Sequence, residues 1–326
     1  MLPWNAMLSD IPQSLLTVYA IALGLLFGSF LNVVIYRVPR GLSIVRPRSH
    51  CPHCGAPIRA YDNVPIVSWL VLRGRARCCK ARISARYPLV ELMSGLLAWA
   101  VYRCIVLALP GDTPWWRALG LFGIHVALGL GLLAAALIDI SHMILPNTIT
   151  LGGTLLGLVT VPLRPGIGWL EALLGAAVGF LMVWVPFDLV HRLLRGRAGM
   201  GLGDAKLVML AGAWFGWVGA VTVFLVGAIQ GTVGAVVILL VQGRIEEPEA
   251  VTQERRELMA AIEAAEGDER RELEEELARD PVGSEPESGW RKSRMPFGPF
   301  LVLAIIEYQL FGEAIVNGYL EFVGWR

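Results

Sequence analysis

Long apolar runs separated by charge-rich blocks dominate this chain. Runs of about 20 apolar residues match the thickness of a bilayer core when they are helical. The pattern predicts an all-α polytopic membrane protein with about eight transmembrane helices and a small cysteine-containing cytoplasmic segment after the first helix. The expected spans are at about 14–36, 89–109, 118–138, 148–163, 169–190, 205–217, 219–242 and 297–316.

The composition agrees with this class. The chain of 326 residues is 55% hydrophobic and 17% charged, whereas a soluble domain has about 25% charged residues. The net charge of +1 gives no indication of a nucleic-acid partner, because the distribution of charge matters more than its sum. The predicted partner of the apolar runs is the lipid bilayer.

Basic residues predict how the chain is oriented. Arginines are dense in 37–86 and recur in 191–206, whereas the short links at 110–116 and 162–168 hold almost none. Since cytoplasmic loops carry the excess of Lys and Arg, the basic segments are expected inside and both termini outside. The predicted divisions are a first span at 1–36, a cytoplasmic Cys/Arg-rich segment at 37–88, a transmembrane core at 89–243, a charged cytoplasmic insertion at 244–295 and a last span at 296–326.

The stretch 205–241 and the charged insertion each allow two interpretations. The stretch 205–241 fits one long tilted helix or two helices that turn near Gly216 and Gly219, and two are favoured. The insertion is rich in Glu and Arg and has an apolar stripe that Gly267 and Asp268 interrupt. It is interpreted as a solvated helical hairpin, with binding of a partner as the alternative.

Two aspartates are the candidates for chemistry. Asp139 follows an apolar run, and Asp204 ends a glycine-rich stretch directly before another. A carboxylate at a span boundary is costly, so it is retained for function more often than by accident. Two adjacent carboxylates share a proton, so that one activates water while the other polarises a carbonyl. For either aspartate alone, a helix cap is the alternative.

The motifs around these aspartates resemble those of the type IV prepilin peptidases, which are GxGD-type membrane aspartic proteases. The resemblance runs from about residue 24 to 303 and omits only the charged insertion. It is carried by Gly201-Leu-Gly203-Asp204-Ala-Lys206, by Asp139 with Pro146-Asn147, and by stretches that begin at Gly28, Arg48, Arg82 and Pro296.

The resemblance implies a function. Members of this family cut the basic leader from prepilins or pseudopilins of pili and type II secretion systems. They cut after a glycine at the cytoplasmic face of the bacterial inner membrane. The catalytic residues would be Asp139 and Asp204. Many members then methylate the new N-terminus with S-adenosylmethionine, and Gly95 is the position linked to methylation. Glu91 is a candidate to receive the charge of the leader.

Four of the five cysteines lie in the Arg-rich segment. Cys51-Pro-His-Cys54 has the spacing of a metal-binding knuckle, and a disulfide framework is not expected in the cytoplasm. Compared with the family, Cys79 takes the place of the last ligand, but Ala76 stands where the third is expected and Cys78 adjoins Cys79. The expected site is structural zinc on Cys51, Cys54, Cys78 and Cys79, with His50 or His53 as substitute ligands; the alternative is a fold that has dispensed with the metal.

Alternatives to this function remain open. The chain could cleave prepilins without methylating them, because no glycine-rich fold for S-adenosylmethionine is visible. A presenilin-like protease also uses a Gly-x-Gly-Asp motif, although the Cys-Pro-x-Cys segment after the first span argues against it. A membrane assembly or transport protein is the alternative from another class, but it would leave both aspartates without a function.

Overall fold

The computed structural model describes residues 11–195, 201–243, 248–265, 267–279 and 295–322. These residues are mostly helical. They form no β-strand and only two isolated β-bridges, between His50 and Pro57 and between Arg75 and Arg82. The prediction of an all-α fold is therefore confirmed. The chain divides into two compact units: Met1–Ala134 with Pro162–Pro165, and Ala135–Val161 with Gly166–Arg326.

The first unit contains two helices of membrane length, the larger part of a third, and the cysteine segment. Short 3-10 turns lie at Val38–Arg40 and Ala60–Asn63. A π-helical turn at Tyr102–Val106 extends the helix Arg86–Val101. The helices are α1 (Gln13–Arg37), α2 (Val67–Val71), α3 (Arg86–Val101) and α4 (Trp115–His142), whose last residues belong to the second unit.

The second unit contains the other helices. A π-helical turn at Val185–Leu189 extends α6. The helices are α5 (Asn147–Val159), α6 (Trp169–Trp184), α7 (Val190–Arg195), α8 (Leu202–Gln242), α9 (Glu249–Ala264), α10 (Gly267–Arg279) and α11 (Gly298–Phe322).

The described helices are those of a multi-pass membrane protein. Five are long and apolar enough to cross a bilayer, and two shorter apolar helices lie at Asn147–Val159 and Gly298–Gly312. Many of their large apolar side chains are exposed, as lipid-facing residues are; on α1 these include Val18, Leu26 and Phe30. The predicted number of eight spans is not confirmed by this count.

Helix α8 folds back on itself at Gly216, where the backbone has φ 72° and ψ −176°. A straight helix would hold Gly203 and Gly231 about 42 Å apart at about 1.5 Å per residue. Instead, Gly203 packs on Leu145, Leu145 packs on Gly298, and the adjoining Phe297 packs on Gly231. The two halves of α8 must therefore run antiparallel, which agrees with the favoured interpretation of two helical segments.

Small residues bring α1 and α3 together in the first unit. A Cβ at Gly28 would lie 2.7 Å from Cβ of Ser94, and Gly24 meets the same helix one turn earlier. Spacing of small residues by four lets two membrane helices approach closely. This contact ties the first span to the helix that follows the cysteine segment.

The described part of the charged insertion contains α9 and α10, and α10 begins at Gly267. Gly267 has a positive φ of 63°, as expected at a break between helices. Val251, Arg255 and Ile262 are buried, whereas Glu257 on α9 and Arg270 on α10 are exposed. Residues 244–247, 266 and 280–294 of the predicted insertion lie outside the described residues.

Candidate functional site

Asp139 lies in the last turn of α4 and is buried, with 5% of its surface exposed. The backbone N–H of Gly298, at the start of α11, donates a hydrogen bond to its carboxylate. A Cβ at position 298 would lie 2.5 Å from Oδ2 of Asp139, so the contact requires glycine. The N-terminus of a helix favours a negative charge because its N–H groups are unpaired. The beginning of α11 therefore holds the Asp139 carboxylate.

Asp204 lies in the first turn of α8, which begins after Gly201. Its carboxyl group is close enough to Asp139 for the two to interact electrostatically. The structure thus brings together the two aspartates that the sequence analysis selected. Gly199 and Met200, which directly precede the Gly201-Leu-Gly203-Asp204 motif, lie outside the described residues.

Two further contacts join the segments that carry the aspartates. Leu145, in the turn after α4, packs against Gly203: a Cβ there would lie 3.0 Å from Cβ of Leu145. The Nζ of Lys206 donates a hydrogen bond of 2.8 Å to Oδ1 of Asn147 at the start of α5. Lys206, Asn147 and Gly298 all lie in the motifs shared with the family, but no local sequence signal predicts the contacts that they make.

The four cysteines converge in the first unit. All four sulfur atoms lie within 4.8 Å of one another. Sγ of Cys51 is 3.7 Å from that of Cys79, and Sγ of Cys54 is 3.3 Å from that of Cys78. Four thiolates about 2.3 Å from one tetrahedral zinc ion lie about 3.8 Å apart, so the cluster is compatible with a metal ion.

An internal repeat explains this convergence. Residues 49–58 and 74–83 make the same hydrogen bonds 25 positions apart. The N–H of Cys51 bonds to O of Ala56 and that of Ala76 to O of Ala81, each at 2.8 Å. The turn residues Gly55 and Lys80 both have positive φ. Ala76 therefore occupies the place of Cys51, as the sequence comparison predicted, and the missing thiol is supplied by Cys78, two residues along.

The cysteines differ in their protonation. The backbone N–H groups of Cys54 and His53 point at the Cys51 sulfur and lower the pKa of that thiol to about 6. Hydrogen bonding with Cys54 and desolvation raise the pKa of Cys78 to about 12. Cys51 is therefore ready to bind a cation, whereas Cys78 must lose a proton first.

Gly95 lies on the face of α3 that packs against α1. A Cβ at Gly95 would lie 2.9 Å from Cδ2 of Leu25, so that side chain covers the glycine. The surroundings of Gly95 are those of a helix–helix contact and do not form a cradle for a nucleoside cofactor. Glu91 on the same helix is buried, and its Oε2 accepts a hydrogen bond of 2.7 Å from the N–H of Ile66.

Comparison with known proteins finds family matches for both the cysteine segment and the aspartate site. Residues 22–105 match the bacterial peptidase A24 N-terminal domain, and residues 126–236 match the type IV leader peptidase family. The class is therefore that of membrane-embedded leader peptidases. No solved structure shows a significant match.

Individual relatives narrow the class. Proteins named prepilin leader peptidase/N-methyltransferase are similar to the chain. The one from Stutzerimonas stutzeri is 39% identical over 61% of this chain and 72% of its own length. The one from Burkholderia pseudomallei (strain 1026b) is 38% identical over 65% and 73%, and the one from Myxococcus xanthus 43% over 62% and 57%. The chain belongs to the prepilin leader peptidase family.

Proposed function

We propose that this protein is an aspartic endopeptidase that removes the basic leader of type IV prepilins or pseudopilins after a glycine. In this proposal Asp139 and Asp204 are the catalytic pair. They act at the cytoplasmic face of the bacterial inner membrane. The observation that carries the proposal is that the Asp204 carboxyl lies close enough to interact electrostatically with Asp139, whose own carboxylate is held by the start of α11.

The different surroundings of the two carboxylates suggest different roles. Asp139 accepts the N–H of Gly298 at a helix N-terminus, which favours its ionised form, so Asp139 takes a proton from the attacking water. Asp204, partly exposed and beside that charge, carries the shared proton and donates it to the scissile carbonyl oxygen. The C–N bond then breaks as the proton held by Asp139 passes to the leaving amine, while a hydroxyl of the tetrahedral intermediate returns a proton to Asp204, so that the pair again holds a single proton.

The position of the pair suits a substrate with a basic leader followed by an apolar helix. Asp139 ends one apolar helix and Asp204 begins another, so both lie at the boundary of the membrane-spanning segments. A prepilin lying with its apolar helix in the bilayer would present the junction with its leader at this depth. Gly201 adds no side chain that would obstruct an approaching peptide, whereas the space beside Gly203 is taken up by Leu145.

Zinc is the metal that best fits the cysteine segment. Four sulfur ligands and no carboxylate in the cluster match a closed structural site. Cys51, Cys54, Cys78 and Cys79 would hold the ion, which would cross-link two short knuckles that share no strand or long helix. The bound ion would stabilise this segment and take no part in peptide cleavage.

Methylation of the cleaved product is the second activity that the names of the relatives support. S-adenosylmethionine would supply the methyl group. Since Gly95 is covered by Leu25, we assign it to the packing of α3 on α1 and not to contact with the cofactor. Mass spectrometry of the processed N-terminus tests this activity: an unmodified amine would leave the peptidase alone.

A cleavage assay tests the main proposal. A synthetic prepilin is incubated with the reconstituted wild-type protein and with Asp139→Asn and Asp204→Asn variants. Loss of the acid–base pair should lower the rate about 10²–10⁴-fold. Asp112→Asn, at an exposed position in another loop, is the matched control and should cleave normally. Normal processing by either variant of the pair would refute the assignment.

A further inference from the structure

The short helix α2 in the cysteine segment presents an apolar face that the described part of the chain leaves more than half exposed. Val67, Leu70 and Val71 are 55%, 60% and 69% exposed, and α2 has no buried residue. Its remaining large side chain, Trp69, turns the other way: Nε1 donates to O of Ile83 at 3.2 Å, and the ring packs on Gly74. One side of α2 therefore packs on the cysteine segment through Trp69, and the other side is exposed.

The position of α2 along α3 indicates what covers the bare side. The N–H of Ile66, directly before α2, is bonded to Glu91. Glu91 is five residues into α3, about 7.5 Å along a helix of membrane length. The beginning of α2 therefore lies beside the second turn of a span. On α3 itself, Leu89 and Leu92 are 55% and 45% exposed, as lipid-facing side chains are.

Charge distinguishes lipid from other partners. Arg73 and Arg75 follow α2 directly and are exposed. An apolar face rimmed by arginines suits the headgroup layer of a leaflet with anionic lipids, where the arginines can reach the phosphates. The same arginines would repel a basic leader peptide.

From these observations we infer that α2 is an interfacial helix: its Val67, Leu70 and Val71 face lies in the cytoplasmic leaflet and so holds the cysteine segment against the bilayer. The buried Glu91 carboxylate fixes the depth of α2, because it binds the N–H of Ile66, the residue directly before the helix. The inference does not depend on peptidase activity.

Photo-crosslinking of the full chain tests the inference. p-Benzoylphenylalanine is placed at Leu70, or separately at Val71, and the protein is reconstituted in vesicles of phosphatidylethanolamine and phosphatidylglycerol. Lys80, an exposed residue in the turn of the second knuckle, is the control position. After irradiation, lipid adducts on the corresponding peptides are measured by mass spectrometry, with prepilin present and absent.

We expect lipid adducts at Leu70 and Val71 in several-fold higher yield than at Lys80, whether or not prepilin is present. Equal or lower yield at both positions would overturn the inference. Adducts to prepilin or to a second copy of the chain in place of lipid would also overturn it, and would assign the face to that protein. Because the readout is an adduct and not cleavage, failure of the peptidase proposal leaves this result unaffected.

Discussion

The aspartate site and the cysteine segment are built in opposite ways. The aspartate site draws on three segments far apart in the chain, around Asp139, Asp204 and Gly298, and only helix packing brings them together. The cysteine segment is made of two adjacent turns with the same local hydrogen bonds. A site that depends on distant packing should tolerate no added atom, whereas a site made from local turns should tolerate a ligand that moves within its turn.

The largest effect after loss of an aspartate is expected at Gly298. In Gly298→Ala the new methyl group would lie 2.5 Å from Oδ2 of Asp139, so the carboxylate must move. A displacement of about 1 Å at a catalytic group costs about 10²-fold in rate. The rate of prepilin cleavage measures this loss. Gly318→Ala, on the same helix with open space around it, should cleave like the wild type; equal rates for both variants would mean that Gly298 does not position Asp139.

Moving a thiol tests the tolerance of the knuckles. Cys78→Ala should lower the zinc content of the purified protein well below one ion per chain, because one of four ligands is lost. Adding Ala76→Cys to that variant restores a thiol at the position equivalent to Cys51 and should restore the zinc. Elemental analysis gives the content. If the zinc content of the double variant is as low as that of Cys78→Ala, the two turns are not equivalent in metal binding.

Zinc affinity should rise with pH. Protons compete with the metal for thiolates, and the pKa of Cys78 is raised to about 12, so its proton must be expelled at any physiological pH. Cys51, with its pKa lowered to about 6, is already ionised above that pH and becomes protonated below it. The affinity should therefore fall more steeply with acidification below about pH 6 than above it. Titration with a competing chelator between pH 5 and 8 measures this; an unchanged slope would exclude Cys51 as the early-ionising ligand.

The smallest effect on the rate of prepilin cleavage is expected from loss of the Lys206–Asn147 hydrogen bond. The bond is exposed, so its loss in Lys206→Ala should cost about 1 kcal/mol, or about fivefold in rate if it positions Asp204. Asn147→Ala should have a similar effect. The double variant should be no slower than either single variant, since both remove the same bond. Fully additive effects would show that the two residues act separately.

The contacts around Gly298 and Ala76 could not be predicted from the sequence. The Pro296-Phe-Gly298-Pro motif was recognised, but nothing local indicates that Gly298 meets Asp139 across 159 positions. The family pattern predicts a cysteine at position 76, and the hydrogen bonds place Ala76 at the position equivalent to Cys51. The way Cys78 compensates, however, depends on a turn geometry that sequence spacing does not define. Gly216 was one of the two glycines proposed for the turn in 205–241, because a glycine there permits a positive φ.

The sequence by itself determined the class of the protein and its all-α character, and it supplied the two candidate reactive side chains, Asp139 and Asp204. Apolar runs must become helices in a bilayer, where every backbone N–H and C=O needs a partner within its own segment, so their pattern is sufficient to recognise them. The tertiary structure decided which backbone N–H group holds the Asp139 carboxylate, that α8 turns back at Gly216, and which face of α2 is exposed. These features depend on contacts between residues far apart in the chain, whose free energy is not contained in any local stretch.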